Sequence, residues 1–217
     1  MANHCYNYGY FHGDAEQINK LITALETEKT RILKEEYTDK AYPRLSYINL
    51  WAGNYNLILS DKPDDYTKEG YDVYDLYGSK WFTCEWEVDS DKECTISGDS
   101  AWSPVLPFFA KICKKYNLTC EGNYEESGMD FAGRFVIDEG GNVEDEQMTY
   151  LEYEAINNPD SFWDNALELI EVGNFIFFED VLDYFKRVKW ELSKGEIETL
   201  TRYYKNYLQE LANQKGK

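Results

Sequence analysis

The stretch WFTCEWEVDSDKECTISGDSAWSPVLPFFAKICKKYNLTC, Trp81 to Cys120, decides how this chain folds. Trp81 to Val88 alternates apolar and polar residues with period two, the pattern of a strand with one face in a core and one in water. Glu93 to Gly98 alternates again across the polar turn DSDK and reads as its hairpin partner. GDSAWSP, Gly98 to Pro104, is then a strand-to-helix junction, with Gly98 and Asp99 turning the chain out of its strand. VLPFFAKICKKYN follows, with Val105, Phe108, Phe109, Ile112 and Cys113 on one helical face. Ser103 and Pro104 have the chemistry of an N-cap and a first helical residue. Pro107 would then forfeit the first intrahelical bond, so a start nearer Pro107 competes. Trp102 is expected to plug the core edge beside this helix start, with an exposed anchor as the alternative. LTCEGNYEE closes the stretch as another strand.

Upstream, Cys5 to Phe11 alternates around Tyr6, Tyr8 and Tyr10 and reads as a first strand. Asp14, with Gln17 three residues on, can cap a helix. Ile18, Leu21, Ile22 and Leu25 give that helix its apolar stripe, which Ile32 and Leu33 extend. The order strand, helix, strand, strand, helix, strand is that of a ferredoxin-like split βαβ sandwich. Two helices then cover one face of an antiparallel sheet, an α+β architecture. An insertion at about 37–78 interrupts it. LSYINLW and NLILS look like short strands, DKPDDYTKEGYD is a loop by composition, and YDVYDLYG is a short helix or an extended turn.

Downstream, FAGRFVI and VEDEQMTYLEY flank the turn DEGGN, a hairpin that extends the sheet. After Tyr150 the pattern becomes helical. Asn158 and Pro159 mark one start, ahead of the apolar face of FWDNALELI. Phe175, Phe178, Leu182 and Phe185 mark a second helix. Ser193 and Glu196 form an S-x-x-E capping box, and Ile197, Leu200, Tyr204, Tyr207, Leu208 and Leu211 continue a third. The expected organisation is a ferredoxin-like domain over 1–150 and a three-helix C-terminal appendage over 151–217.

Composition narrows the chemistry. The chain has 217 residues, 43% of them apolar and 17% aromatic, enough for a proper core. Its 22 basic and 41 acidic residues give a net charge of −19, which repels nucleic-acid phosphates and anionic membranes and favours cationic partners. Cys5, Cys84, Cys94, Cys113 and Cys120 include no CxxC pair, no apolar leader opens the chain, and no run is long enough for a membrane span. These features lead to the expectation of a cytoplasmic protein with reduced, buried thiols.

Catalytic and metal-binding patterns are weak. His4 and His12 share a strand face but lie eight steps apart, about 26 Å at roughly 3.3 Å per residue, and Cys5 points the other way. A zinc site is therefore not expected. GDSAW is not a G-x-S-x-G elbow, because Trp102 stands where the second glycine belongs. No P-loop, G-x-G-x-x-G or EF-hand pattern occurs. Acids are so frequent that their clustering in sequence indicates solvated surface more than a glycosidase or phosphotransfer site. Glu85 and Glu87 do share one strand face. A ferredoxin-like sheet with tyrosines on one face suggests RNA binding, but the basic residues that accompany such sheets are missing, and from Glu121 to Glu146 only Arg134 is basic. The tyrosines are expected to pack under the C-terminal helices or to meet a protein partner.

Three motifs in this order carry a resemblance: the opening MAN-x-C, the GDSAWSP loop, and GMDFAG (Gly128 to Gly133) with the acidic turn after it. The chain resembles the Api-like family of bacteriophages and conjugative elements over its first residues to about Gly13 and from about Glu93 to Tyr150. That resemblance implies a mobile-element protein with a ferredoxin-like core, and it implies no catalytic residues.

The expected function is non-enzymatic binding of a host protein through an acidic surface that imitates a nucleic-acid backbone, in the sharpest form an anti-CRISPR-like inhibitor of a nucleic-acid-handling defence system in a bacterial cytoplasm. The candidate contact residues are Asp99, Ser100, Trp102, Glu125, Glu126, Asp130, Glu139, Glu144, Asp145 and Glu146. No catalytic residue, cofactor, metal, membrane or direct nucleic-acid contact is expected. The alternatives are a small enzyme using clustered carboxylates and a ferredoxin-like nucleic-acid-binding module.

Overall fold

A computed structural model describes residues 4–36, 47–51, 58–59, 78–171, 174–175 and 177–215. The strands are β1 (His4–His12), β2 (Tyr47–Trp51), β3 (Trp81–Ser90), β4 (Glu93–Ala101), β5 (Thr119–Glu126), β6 (Phe131–Ile137) and β7 (Val143–Met148). The helices are α1 (Ala15–Glu36), α2 (Leu106–Tyr116), α3 (Tyr150–Asn157), α4 (Pro159–Glu171), α5 (Phe178–Arg187) and α6 (Lys194–Lys215). The strands form one sheet in the order β2-β3-β4-β1-β5-β6-β7. Within it β3-β4-β1-β5 is the ferredoxin-like core order. β1 pairs antiparallel with both β4 and β5, as a split βαβ unit requires. The insertion adds β2 on one edge, and the β6–β7 hairpin extends the other.

The period-two pattern of β1 is borne out residue by residue. Cys5, Asn7, Gly9 and Phe11 are buried, while Tyr6, Tyr8 and Tyr10 alternate with them. The buried side packs against α1 through Ile18, Leu21 and Leu25 and against α2 through Phe108, Phe109 and Ile112. Phe109 is the hub of this core, with rings of Phe11, Phe82 and Phe135 at 5.4, 6.1 and 5.9 Å. Gly9 makes room for it, and the strands approach closely at the same rung. Gly9 and Gly122 face each other in register across β1 and β5, and a Cβ on Gly9 would come within 2.8 Å of the Phe109 ring. A Cβ on Gly122 would lie 1.9 Å from the Tyr8 carbonyl oxygen.

The GDSAWSP junction differs from its sequence reading at Gly98–Asp99 and at Trp102, and of the two helix starts the one nearer Pro107 is taken. Gly98 and Asp99 do not turn the chain, because β4 runs on to Ala101. Gly98 is needed instead because φ is +151° and a Cβ would sit 2.0 Å from the Thr83 carbonyl oxygen of β3. Helix α2 starts at Leu106 with Val105 as N-cap, so Pro107 falls in the first turn, where its missing N–H costs no helical bond. Ser103 is thereby released from capping, and its hydroxyl donates to the Gly78 carbonyl at 2.5 Å. Trp102 is not a plug: the residue is 47% exposed and its φ is +70°.

Two compact units result, Met1–Gln147 and Met148–Lys217. Among the described residues the second contains four helices where three were expected. VEDEQMTYLEY does not stay extended, because Thr149 and Glu152 form a reciprocal capping box that ends β7 and starts α3. The Asn158–Pro159 start and the Ser193–Glu196 box are found as read. The core of this unit is aromatic. Phe162 stacks on Tyr184 and Trp190 at 5.3 and 5.4 Å and meets Phe185 edge-on.

Within NLILS, Ile58 and Leu59 are buried in a turn and not in a strand. The rest of NLILS, the loop DKPDDYTKEGYD, YDVYDLYG apart from Gly78, the opening Met1–Asn3 and the side chains of Ile32 and Leu33 lie outside the described residues.

Candidate protein-binding face

β1 is the central strand of the sheet core, so its outward residues form a central column. From one end to the other these are His4, Tyr6, Tyr8, Tyr10 and His12. The register fixes their neighbours. Tyr6 lies between Asp99 of β4 and Glu125 of β5, Tyr8 between Ser97 and Asn123, and Tyr10 between Thr95 and Glu121. One strand further out, Glu85 and Glu87 of β3 stand beside Ser97 and Thr95, and Arg134 and Val136 of β6 beside Asn123 and Glu121. Six carboxylates, Glu85, Glu87, Glu93, Asp99, Glu121 and Glu125, thus frame three phenols, with Arg134 as the one permanent cation among these positions. Tyr6 is 41% exposed, and Tyr8 and Tyr10 are half-buried between their neighbours. A shallow depression of about 410 Å³ is lined by Tyr8, Tyr10, Glu121, Asn123, Arg134 and Val136.

The ends of the column are organised by hydrogen bonds. Glu93 accepts from Ser90 Oγ at 2.8 Å and from the Tyr10 hydroxyl, and its carboxyl is held below the usual range mainly by these two bonds. Tyr10 is pushed up to about 12 by desolvation and by Glu93, so it remains a neutral phenol. His12 Nδ1 lies 3.6 Å from Glu93, and at the far end His4 Nδ1 lies 3.9 Å from Asp99 with its ring edge-on to Trp81.

The contact residues read from sequence separate into groups. Asp99 and Glu125 belong to the open face. Ser100 is buried and donates to the carbonyls of Ser103 and Cys5, so it presents no contact surface. Glu126 is also buried and accepts the backbone N–H groups of Gly128 and Met129, tying the β5–β6 turn. Asp130 is exposed in that turn at φ +55°. Glu139 is exposed in the β6–β7 turn, and Glu144, Asp145 and Glu146 are exposed on the edge strand β7. Asp145 accepts from the Tyr124 hydroxyl at 2.9 Å, which raises the Tyr124 phenol after burial.

Trp102 is held by a network with Asn7 at its centre. Asn7 Nδ2 donates to Ser100 Oγ at 2.9 Å and to the Cys5 carbonyl at 2.8 Å, and its Oδ1 accepts from Val105 N at 2.9 Å. Ser103 N donates to the Ala101 carbonyl at 2.9 Å, which with a positive φ at Trp102 makes the rarer, strained form of γ-turn.

Nucleophilic chemistry finds little support here. All five thiols are buried, and desolvation pushes Cys5 and Cys94 up to about 12. Asp138, Glu152 and Glu196 are held below their usual range by hydrogen bonds, the reverse of what a general acid needs. Among the described residues no three His, Cys, Asp or Glu side chains gather to hold a metal ion.

Glu93 and Glu121 escaped the sequence reading. Glu121 shares the strand parity of Glu125, which was a usable signal. Glu93 joins the face through its cross-strand pairing with His12, which only the register reveals.

Residues 80–167 match the family model described as a ferredoxin-like domain in Api92-like protein. The match spans GDSAWSP and GMDFAG, two of the motifs behind the Api-like resemblance, and it supports the ferredoxin-like reading of the sheet. A crystal structure of a protein api92 from Yersinia pseudotuberculosis is similar over 69% of this chain and 98% of that chain, at 10% identity and a TM-score of 0.43. No curated protein matches the chain at a significant level. No helix among the described residues is long and apolar enough to cross a membrane.

Proposed function

We propose that this protein is a non-enzymatic binding protein whose open sheet face docks a basic partner protein. The observation that supports it best is the column Tyr6, Tyr8, Tyr10 framed by six carboxylates on neighbouring strands. Aromatic rings supply contact area at low entropic cost, and the surrounding negative field speeds encounter with a cationic surface. An RNA-binding sheet uses the same geometry with the opposite charge. The net charge of −19 argues for a target that ordinarily handles nucleic acid. In its sharpest form, resting on charge and on the Api-like resemblance, the reading is inhibition of a nucleic-acid-handling host-defence complex by a phage or mobile-element product in the bacterial cytoplasm.

Affinity capture from a bacterial lysate at low and high salt tests it, with Asp99→Asn/Glu121→Gln/Glu125→Gln as the control protein. The expected result is a basic nucleic-acid-handling protein that is retained at low salt, released at high salt and absent with the triple variant. Capture of the same protein by the triple variant would refute the role of this face.

A further inference from the structure

The carboxylates along the tyrosine column are not evenly spaced, and their spacing says what the face can hold. Tyr6 has Asp99 and Glu125 in register on its two sides, and Tyr10 has Glu121, with Glu87 one strand further out. Tyr8 between them has neutral Ser97 and Asn123, and one strand further out Glu85 beside Ser97 is offset by Arg134 beside Asn123. Negative potential is thus concentrated at the first and third rungs and weakened at the second.

Side chains on one face of a strand recur about every 6.6–6.8 Å, and an extended partner segment has the same repeat. Three successive same-face residues of such a segment therefore match three successive tyrosines. We propose that the face receives an extended segment carrying arginines four residues apart, R-x-x-x-R, with a neutral residue between them over Tyr8. The outer guanidinium groups stack on the phenol rings of Tyr6 and Tyr10 and donate to Asp99, Glu125 and Glu121. An arginine at the middle position meets Arg134 and finds no carboxylate on the two strands next to Tyr8. Lysine fits less well, because it is a compact charge that neither stacks as a plane nor donates as a fork. This inference rests on the binding-face reading above and adds the identity of the partner segment.

The test uses synthetic peptides of identical composition, with two arginines four residues apart or two apart, titrated into the full chain and followed by NMR. The four-apart peptide should bind roughly five-fold tighter than the two-apart peptide and than its lysine counterpart. Tyr6→Ala and Tyr10→Ala should each remove that preference. Asp99→Asn and Glu121→Gln, which change only side chains at the surface, should do the same and guard against loss of fold. Equal affinity for the two spacings, or a preference unchanged in these variants, would overturn the inference. So would tighter binding of a single-stranded oligonucleotide to the same face. If the peptides fail while salt-sensitive capture still depends on Asp99, Glu121 and Glu125, the segment assignment is wrong and the binding-face reading stands. If that capture also fails, both fall.

Discussion

In the sheet unit, the Phe109 ring sits against Gly9, which pairs in register with Gly122, a strand residue over a hundred positions away in sequence. In the helical unit, Phe162 sits between Tyr184 and Trp190, and the helices around it start at capping boxes formed three residues apart. The first arrangement depends on long-range register. The second depends largely on local rules that each helix satisfies for itself. The sheet unit should therefore respond sharply to a few positions, and the helical unit gradually to many.

The largest expected effect is Phe109→Ala, which removes the hub of the sheet core at a cost of about 3–5 kcal/mol. Hydrogen exchange should show β1, β4 and β5 losing protection while amides of Met148–Lys217 keep theirs. Equal loss in both units would break the distinction. Asn7→Ala comes next, at about 1–3 kcal/mol, because it leaves the Val105 N–H and the Ser100 hydroxyl short of a buried partner. Denaturant unfolding followed on the sheet unit would measure it. A loss below about 0.5 kcal/mol would mean the network tolerates water in place of the amide.

In the helical unit, Ser193→Ala or Thr149→Ala should cost only about 1 kcal/mol each, read as a shift in the urea midpoint. The same caps set an acid dependence. Glu152 and Glu196 have folded pKa values below their ordinary 4.5, so their contribution is complete above that value and is lost as pH falls through the folded pKa. Glu196→Gln keeps an S-x-x-Q cap and should flatten the stability-versus-pH curve below pH 4.5. An unchanged acid slope would show that the carboxylate charge contributes nothing there.

The smallest expected effect is Trp102→Gly. Glycine relieves the strain of a positive φ while the variant loses a half-exposed indole, so the change should lie within about 1 kcal/mol. A melting temperature that falls by many degrees would restore the plug reading of Trp102.

The candidate face was partly legible before any coordinates. Alternation put Tyr6, Tyr8 and Tyr10 on one side of β1, and it put the two histidines at its ends. Which carboxylates join them was not legible, since cross-strand neighbours follow from register. Ser100 and Glu126 looked like surface residues because their types usually are. Both are buried with backbone partners that sequence spacing does not reveal. T-Y-L-E at Thr149 was a readable helix start, but the alternation of VEDEQM just before it masked the change of period.

Periodicity, caps and turn residues belong to the chain itself, because they express what neighbouring residues can do to one another's dihedrals and hydrogen bonds. By these means the sequence determined the β-α-β-β-α-β order, the hairpins and most of the helix starts. Tertiary structure decided where β4 ends, how Trp102 is displayed and which acids stand beside which tyrosines. Those outcomes depend on pairings across about ninety to a hundred residues or more, where the buried amide of Asn7 and the close approach at Gly122 oppose a shifted register.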